Sequence, residues 1–473
     1  MSDNFLLSNN FARELYAKVK DLPIYDYHCH LSPQEIYEDK SLDNIGQMWL
    51  YGDHYKWRIM RAAGVDEKYI TGNAPWRDKF IKYAEVSALA AGNPLYVWNR
   101  MELEAFFGVK TPLDAESAAK IWDMCVSEIK TRALSPRKLI KQSNVKYIAT
   151  TDDPADSLEY HKLLAADKTF GVKVAPAFRV DTALNLYKGG YPEYAERLSK
   201  ASGVKINGVD DLFEALAKRL DYFTSLGCKF SDVGLPFFPS FFNYKNSKSA
   251  SAEKDYKTDS DEAFRAALNG RPGDISERGF DAVLCRAYVF LAGEYAKRGV
   301  VMQLHLMAMR NMNSTLFAEL GADVGGDGIG DAIPYKDIAA FFDVLNTNGA
   351  LPKTVVYPLN PNALAAVSTI AGSFRNVICG AAWWYNDQKR GIREQMEIIA
   401  ETGYIGSFLG MLTDSRSFMS YPRHDYFRRI LCSMLGEWVE GGEYEHSAAF
   451  KLAEAISCGN IRKLIFGDNG GCE

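Results

Sequence analysis

Short apolar runs rich in β-branched residues recur along this chain, and amphipathic helical stretches separate most of them. Strands that alternate with helices predict a parallel sheet. About eight such units with continuous apolar strands favour closure into a (β/α)₈ TIM-type barrel of the α/β class, and an open doubly wound sheet is the alternative. The candidate strands cover residues 23–31, 147–153, 173–181, 228–234, 300–306, 354–359, 377–384 and 407–414.

An unusually long stretch, residues 32–143, separates the first two candidate strands. It exceeds an ordinary βα loop, has the pattern of helices and contains five of the eight tryptophans. We therefore predict three parts: residues 1–31 with the first strand, an inserted helical subdomain over 32–143 that covers the barrel mouth, and the remaining barrel over 144–473. Two polar stretches, 247–269 and 311–334, are expected to be surface loops or excursions.

Charge and apolar patterning exclude several classes of partner. The net charge is -5 and the basic residues are scattered, whereas a nucleic-acid surface needs a concentrated basic patch. The chain contains no uncharged apolar run of about 18 residues, so no membrane span is expected, and the first residues lack the pattern of a signal peptide. The eight cysteines include no Cys-x-x-Cys pair, which favours free thiols. We expect a cytoplasmic protein without nucleic-acid or membrane partners, and a homo-oligomer is compatible with the sequence.

Histidines at predicted strand ends indicate a metal site. His28 and His30 are one residue apart on the first strand, so their side chains point to the same side. His305 ends the fifth strand and Asp414 ends the eighth. Two imidazoles and a carboxylate suit Zn²⁺ or a similar divalent ion and leave positions open for a substrate. A chance pair of buried histidines is the alternative, and His305 could be a further ligand or a substrate contact.

Arginines and aromatic residues complete the predicted mouth of the barrel. Arg179 ends the third strand, Arg310 follows the fifth and Arg416 follows the eighth. Several arginines at strand ends indicate recognition of a carboxylate or a polyhydroxy acid through charge-assisted hydrogen bonds. Trp384 can form a wall of a sugar pocket, and Asn386 can bond its hydroxyls. Surface ion pairs for the arginines and simple packing for the tryptophan are the alternatives.

Several of these segments together resemble the uronate (glucuronate) isomerase family, a branch of the amidohydrolase superfamily. The resemblance covers nearly the whole chain, and its most specific segments are Gly-Asp-His-Tyr-Lys-Trp-Arg at 52–58 and Thr-Asp-Ser-Arg at 413–416. It implies isomerisation of D-glucuronate to D-fructuronate and of D-galacturonate to D-tagaturonate, with a divalent metal that is usually Zn²⁺. Two positions depart from the family's usual pattern, since Val233 stands where His is common and Met307 stands where Gly is common. The other matching segments are residues 26–30, 303–305, 310–311 and 383–387.

The implied aldose–ketose isomerisation moves a proton from C2 to C1 of a small sugar acid. Its obstacles are a weakly acidic carbon and a developing enediolate charge, so a positioned base and a metal ion are expected. The base is open between Asp414, Tyr55 and a water on the metal. Arg416 is expected to steady the developing charge, whereas His54, Tyr55 and Arg179 would bind the carboxylate or hydroxyls. The expected residues are His28, His30 and Asp414 for the metal, Asp414, Arg416, Tyr55 and His54 for catalysis, and Arg179, His305, Arg310, Trp384 and Asn386 for the substrate.

Two other functions are alternatives. A metal-dependent hydrolase of the amidohydrolase superfamily would attack an amide or a lactone and would need no carboxylate clamp, so the three arginines disfavour it. A sugar-acid binding protein without a metal is disfavoured by the intact set of His28, His30 and Asp414.

Overall fold

The computed structural model describes residues 3–234, 238–246 and 250–467. The strands are β1 (Ile24–Asp26), β2 (Val145–Asp152), β3 (Lys173–Arg179), β4 (Ser231–Asp232), β5 (Met302–Leu306), β6 (Ala308–Met309), β7 (Gly328–Ile329), β8 (Thr354–Pro358) and β9 (Val377–Cys379). The helices before β4 are α1 (Asn10–Val19), α2 (Pro33–Glu38), α3 (Ile45–Leu50), α4 (His54–Ala62), α5 (Trp76–Ala88), α6 (Pro94–Phe107), α7 (Ala118–Arg132), α8 (Pro136–Gln142), α9 (Glu159–Ala166), α10 (Asp181–Leu184), α11 (Tyr191–Ser202) and α12 (Val209–Ser225). The later helices are α13 (Phe241–Asn246), α14 (Ala250–Leu268), α15 (Glu277–Arg298), α16 (Ser314–Leu320), α17 (Tyr335–Thr347), α18 (Leu364–Gly372), α19 (Lys389–Thr402), α20 (Pro422–Glu440), α21 (His446–Glu454) and α22 (Asn460–Phe466).

Parallel pairing organises the strands into two main sheets, which confirms the predicted α/β class. One sheet has the order β1-β2-β3-β4 and the other the order β5-β8-β9. Isolated parallel bridges join Phe230 to Val301 and Val233 to Leu304, so β4 lies beside β5 and the seven strands form one row. Because these strands run in the same direction, their carboxyl ends share one edge. The residues that end the first four strands at this edge are Asp26, Asp152, Arg179 and Asp232.

The predicted eighth strand, residues 407–414, is wrong as a strand, since none of its residues has strand pairing. Gly410 has a φ of +75° and Asp414 a φ of +46°, and left-handed residues interrupt an extended ladder. The end of the segment nevertheless lies beside the residues that follow β1, because the Asp414 N–H donates to the His28 carbonyl at 3.1 Å. Asp414 therefore reaches the shared edge without a regular strand.

Helices α2 to α8 lie between β1 and β2, where the sequence predicts a helical insertion. Their apolar side chains, such as the buried Trp49 and Phe80, form a hydrophobic cluster that also includes Ile148 of β2. The neighbours of Ile148 on the same strand, Tyr147 and Ala149, belong to the main core instead. This alternation follows from the period of two of a β-strand, so the two faces of β2 pack against different hydrophobic clusters.

The two stretches predicted as surface loops contain regular structure. Most of residues 247–269 is α14, although 247–249 lie outside the described residues. Ala263, Phe264 and Ala267 are buried there, so the polar composition reflects the solvent face of an amphipathic helix. The stretch 311–334 contains α16 and β7, and β7 pairs antiparallel with β6. Among the described helices, none is both long and apolar enough to cross a membrane.

Candidate active site

Two imidazoles and one carboxylate meet at the carboxyl ends of the strands. The Nε2 atoms of His28 and His30 each lie 3.2 Å from Oδ1 of Asp414. The His30 N–H also donates to the Ser415 carbonyl at 2.9 Å, so backbone bonds hold the two segments in register. Asp414 has a left-handed backbone with a φ of +46°, a conformation that costs on the order of 1 kcal/mol or more and is often kept at functional sites.

A second group of possible metal ligands shares His28. His28, Asp232 and His305 have ligand atoms within 4.8 Å of one another. His305 Nδ1 lies 2.7 Å from Asp232 Oδ1, an arrangement that keeps the proton on Nδ1 and leaves the lone pair on Nε2. That Nε2 is buried and has no hydrogen-bond partner among the described residues. A buried imidazole nitrogen needs a partner, so this set of donors fits a divalent metal ion.

The charges of the site also suit a cation. Burial lowers the pKa of His30 to about 4, so its imidazole is neutral near pH 7. Burial opposes a charge on His28, but Asp232 and Asp414 outweigh it and raise the pKa of His28. The two imidazoles outweigh burial at Asp414 and hold its carboxyl pKa well below the usual range. A positive charge is therefore favoured among these side chains. A metal ion can supply that charge, because ionised carboxylates and neutral imidazoles are the states that bind a metal.

Arg179 lies next to the metal-binding groups. Its Nη1 is 3.1 Å from Oδ2 of Asp232, and its Nη2 is 2.8 Å from Oδ2 of Asp181. Asp232 is 1% exposed, and it forms a hydrogen bond with His305 and an ion pair with Arg179. The guanidinium and the imidazole are therefore fixed by the same buried carboxylate.

Arg310 and Arg416 line the same cavity as Arg179 and the possible metal ligands. Arg310 Nη1 is 2.8 Å from Oδ2 of Asp327, and its guanidinium lies 5.2 Å from the centre of a Trp384 ring. Arg416 Nη2 is 3.3 Å from Oδ2 of Asp323. Both arginines thus have an aspartate partner, as the surface alternative predicts, and both also line the cavity with the metal-binding residues.

The insertion contributes the start of α4 to the site. Asp53 caps this helix, since its Oδ1 accepts hydrogen bonds from the N–H groups of Tyr55 and Lys56 at 3.0 and 3.1 Å. The cap places His54 in the cavity that the possible metal ligands and the arginines also line, where its ring lies edge-on to Trp384 with centroids 5.5 Å apart. Tyr55 instead lines a small adjoining cavity that Asp414 and Arg416 also line.

Asn386 is not brought to the cavity. It is buried in a 3₁₀ turn and donates to the Leu359 carbonyl at 2.8 Å, and the described lining of the cavity does not include it. Trp383, three residues earlier, has a polar role that the sequence analysis did not predict. Its Nε1–H donates to Oδ2 of Asp414 at 2.9 Å, which fixes the orientation of that carboxylate.

Two aspartates of the site were also missed. Asp232 ends β4, so the rule that selected Arg179 and His305 at strand ends would have found it. Asp323 lies between α16 and β7 in the excursion at 311–334, where no local pattern distinguishes it from other acidic residues. Only the folded chain shows that Asp323 approaches the arginines.

The two departures from the family's usual pattern have structural counterparts. Met307 has a φ of +69°, a left-handed conformation that glycine adopts without steric cost. Val233 is buried and forms the parallel bridge to Leu304, between β4 and β5. Both positions lie beside the metal-binding residues of these strands, and neither belongs to the described metal-binding groups.

The cavity formed by these residues has a volume of about 450 Å³. It lies at the carboxyl ends of parallel strands, where α/β enzymes bind their substrates. Imidazoles and carboxylates suited to a metal line it together with guanidinium groups suited to an anion. Fold and site together define an α/β enzyme for a small anionic substrate.

Comparisons with known proteins give the family. The model of the glucuronate isomerase family matches residues 1–464. A uronate isomerase from Caldanaerobacter subterraneus subsp. tengcongensis is 45% identical over 98% of this chain and 99% of its own. The crystal structure of a uronate isomerase from Thermotoga maritima has a TM-score of 0.90 at 31% identity, covering 98% of this chain and 99% of that one. A glucuronate isomerase structure from Caulobacter crescentus shares the fold, with a TM-score of 0.90 at 24% identity over 100% of this chain and 98% of that one. The chain belongs to the glucuronate isomerase family.

Proposed function

We propose that this chain interconverts D-glucuronate with D-fructuronate and D-galacturonate with D-tagaturonate. The observation that carries the proposal is one cavity lined both by a metal-binding group and by three arginines. Family membership and the names of the relatives support the same reaction. A metal-dependent hydrolase would need no such set of arginines, and no observation favours it. The possible metal ligands in this lining are His28, His30 and Asp414, and the arginines are Arg179, Arg310 and Arg416.

The metal would be held by His28, His30 and Asp414. We assign Zn²⁺ to this group, because two imidazoles and one carboxylate are ligands that it prefers and leave room for a substrate. Bound there, the ion would supply Lewis-acid stabilisation of the negative charge on the sugar oxygens. His305 Nε2 is available as a further ligand or as a contact to the substrate.

The arginines divide into two roles. Arg179 is tied through Asp232 to His305, so we assign it to the oxygens that carry the developing enediolate charge. Arg310 and Arg416 share the half-exposed partner Asp323, and we assign them to the carboxylate of the uronate, which prefers charge-assisted contacts. This assignment exchanges the roles that the sequence analysis expected for Arg179 and Arg416.

His54 is the residue that we assign to proton transfer between C2 and C1. Burial, and then Arg416, lower the pKa of His54, so its neutral imidazole can accept a proton near pH 7. Asp414 is a weaker candidate, since its carboxylate contacts two imidazoles and accepts a hydrogen bond from Trp383. Burial raises the pKa of Tyr55 well above 10, so this hydroxyl stays protonated near neutral pH and is a weaker candidate for the base.

The fold around the site is proposed to be a closed (β/α)₈ barrel. The row of seven parallel strands and the contact of Asp414 with His28 support closure by an irregular eighth segment. Residues 32–143 would form the inserted subdomain, in keeping with their own hydrophobic cluster. We also propose a cytoplasmic location, since the seven described cysteines are buried and buried thiols suit a reducing compartment. The eighth, Cys472, lies outside the described residues.

The reaction can be tested directly by ¹³C NMR. Metal-loaded protein is incubated with D-glucuronate, D-galacturonate and, as a neutral control, D-glucose. We expect ketose C2 signals from at least one uronate and much slower conversion of D-glucose. Absence of a ketose signal from both uronates, with the metal content verified, would contradict the proposed function.

A further inference from the structure

Asp323 places a carboxylate of the protein itself between two arginines of the cavity. Its Oδ2 lies 3.3 Å from Arg416 Nη2, and its Oδ1 lies 3.7 Å from Arg310 Nη1. Burial opposes ionisation of Asp323, but Arg416, Arg310, His54 and Arg179 together outweigh it and lower its pKa. The positive potential of the cavity therefore converges on the position that this carboxylate occupies.

The backbone that follows Asp323 is held by two arginines of α4. Arg58 of α4 donates to the carbonyls of Gly325 and Asp327 at 3.2 and 2.7 Å, and Arg61 donates to the Val324 carbonyl. Asp323 itself precedes these anchors and has a left-handed φ of +60°. The insertion thus holds the neighbouring backbone at the cavity while the Asp323 side chain stays 54% exposed.

The contacts of Asp323 are easier to replace than those of the other aspartates at the arginines. Asp232 and Asp327 are 1% and 3% exposed and bond their arginines at 3.1 and 2.8 Å. Asp323 is half-exposed and its contacts are longer, and exposed ion pairs of this kind contribute about 0–1 kcal/mol each. A ligand with its own carboxylate can therefore replace Asp323, whereas it cannot readily replace the buried pair partners.

We infer that Asp323 occupies the site of the substrate carboxylate, competes with it for Arg310 and Arg416, and is displaced when a sugar acid binds. The inference rests on the proposed uronate reaction. A sugar acid restores the negative charge between Arg310 and Arg416 when Asp323 leaves. A neutral sugar brings no such charge, and displacing Asp323 would leave two guanidinium groups without this counter-charge, which costs free energy, so a neutral sugar binds with Asp323 in place. Asp323 thus lowers the affinity for a sugar acid, which must displace it, and leaves the affinity for a neutral sugar nearly unchanged.

The test compares two ligands that cannot be isomerised. L-Gulonate is D-glucuronate with its aldehyde reduced, and D-glucitol is the corresponding neutral polyol. Binding of each to the metal-loaded protein is measured by titration calorimetry for wild type, for Asp323→Asn and for the control Asp331→Asn. Asp331 is exposed on the same excursion and is not among the described residues that line the cavity, so the control changes the net charge equally.

Asp323→Asn should bind L-gulonate about three- to tenfold more tightly, as expected for one or two replaced surface ion pairs. Its affinity for D-glucitol should change less than about twofold, and Asp331→Asn should resemble wild type. Unchanged or weaker binding of L-gulonate by Asp323→Asn would overturn the inference, and so would an equal gain in Asp331→Asn. Binding does not depend on turnover, so a failure of the isomerase assay would be distinguishable from a failure of this inference.

Discussion

Replacing Asp414 by asparagine tests whether the site binds a metal. Asparagine has nearly the same shape as aspartate, so the contacts of the side chain with Trp383, at 2.9 Å, and with His28 and His30, at 3.2 Å, can largely persist. The substitution removes one negative charge from a group that otherwise consists of two neutral imidazoles. Its main effect is therefore electrostatic rather than steric.

The expected loss of metal affinity follows from Coulomb's law. Two unit charges about 4 Å apart interact by about 4 kcal/mol at an effective dielectric constant near 20. A divalent ion in contact with Asp414 would lose at least that much attraction, which corresponds to about a thousandfold weaker binding. Loss of the hydrogen bond from Trp383 alone would be a smaller effect, on the order of 1.5–3 kcal/mol.

The assay is metal content by mass spectrometry, followed by titration of Zn²⁺ into the metal-free protein. Asp387→Asn is the matched control, because Asp387 is also buried near the site and lies outside the described metal-binding groups. Burial raises the pKa of Asp387 to about 7, so an uncharged amide resembles its state near neutral pH and the control should keep its metal. Wild-type affinity in Asp414→Asn, with an unchanged melting temperature, would refute the ligand assignment.

Two further predictions concern the arginine wall and a buried acid of the insertion. Arg416→Lys keeps the charge but loses the planar guanidinium, so kcat/KM for D-glucuronate should fall by a factor that corresponds to roughly 2–3 kcal/mol. A kcat/KM within about threefold of wild type in steady-state kinetics would speak against a contact with the carboxylate. Burial raises the pKa of Glu102 from 4.5 to about 7, so the folded state holds a proton that the unfolded chain releases between those pH values, and stability falls as the pH rises through this range. Glu102→Gln should remove this fall in the free energy of unfolding, which is roughly 3 kcal/mol. The measurement is urea unfolding at pH 5 and at pH 8, and an unchanged pH dependence would show that Glu102 is not the group responsible.

Local patterns predicted the positions of the regular strands but not how they end. The apolar run at 173–181 contains β3, Lys173–Arg179, because a buried parallel strand needs continuous apolar residues. The run at 407–414 has a similar composition, yet left-handed backbone at Gly410 and Asp414 prevents strand pairing. Backbone handedness at a non-glycine residue depends on tertiary contacts, so composition could not reveal it.

For the site, strand periodicity was more informative than residue type. It placed His28 and His30 on one side of the first predicted strand, and the structure brings both to Asp414. The predicted strand itself was too long, since β1 ends at Asp26 and both histidines follow it. It could not show that Asn386 bonds a backbone carbonyl or that Trp383 bonds Asp414. Those roles depend on the turn that follows β9, where the strand ends at Cys379 and the period of two no longer applies.

The pairing of each cavity arginine with an aspartate explains how cations are kept in a buried site and still recognise an anion. An unpaired buried guanidinium would be costly, so a counter-charge must be present before the substrate arrives. Where the partner is buried, as Asp232 is with Arg179, the pair is permanent and fixes the geometry near the metal-binding residues. Where the partner is half-exposed, as Asp323 is with Arg416, the pair can exchange one carboxylate for another. The difference in burial between these two aspartates is therefore the reason to place the reacting carbons near Arg179 and the substrate carboxylate near Arg416.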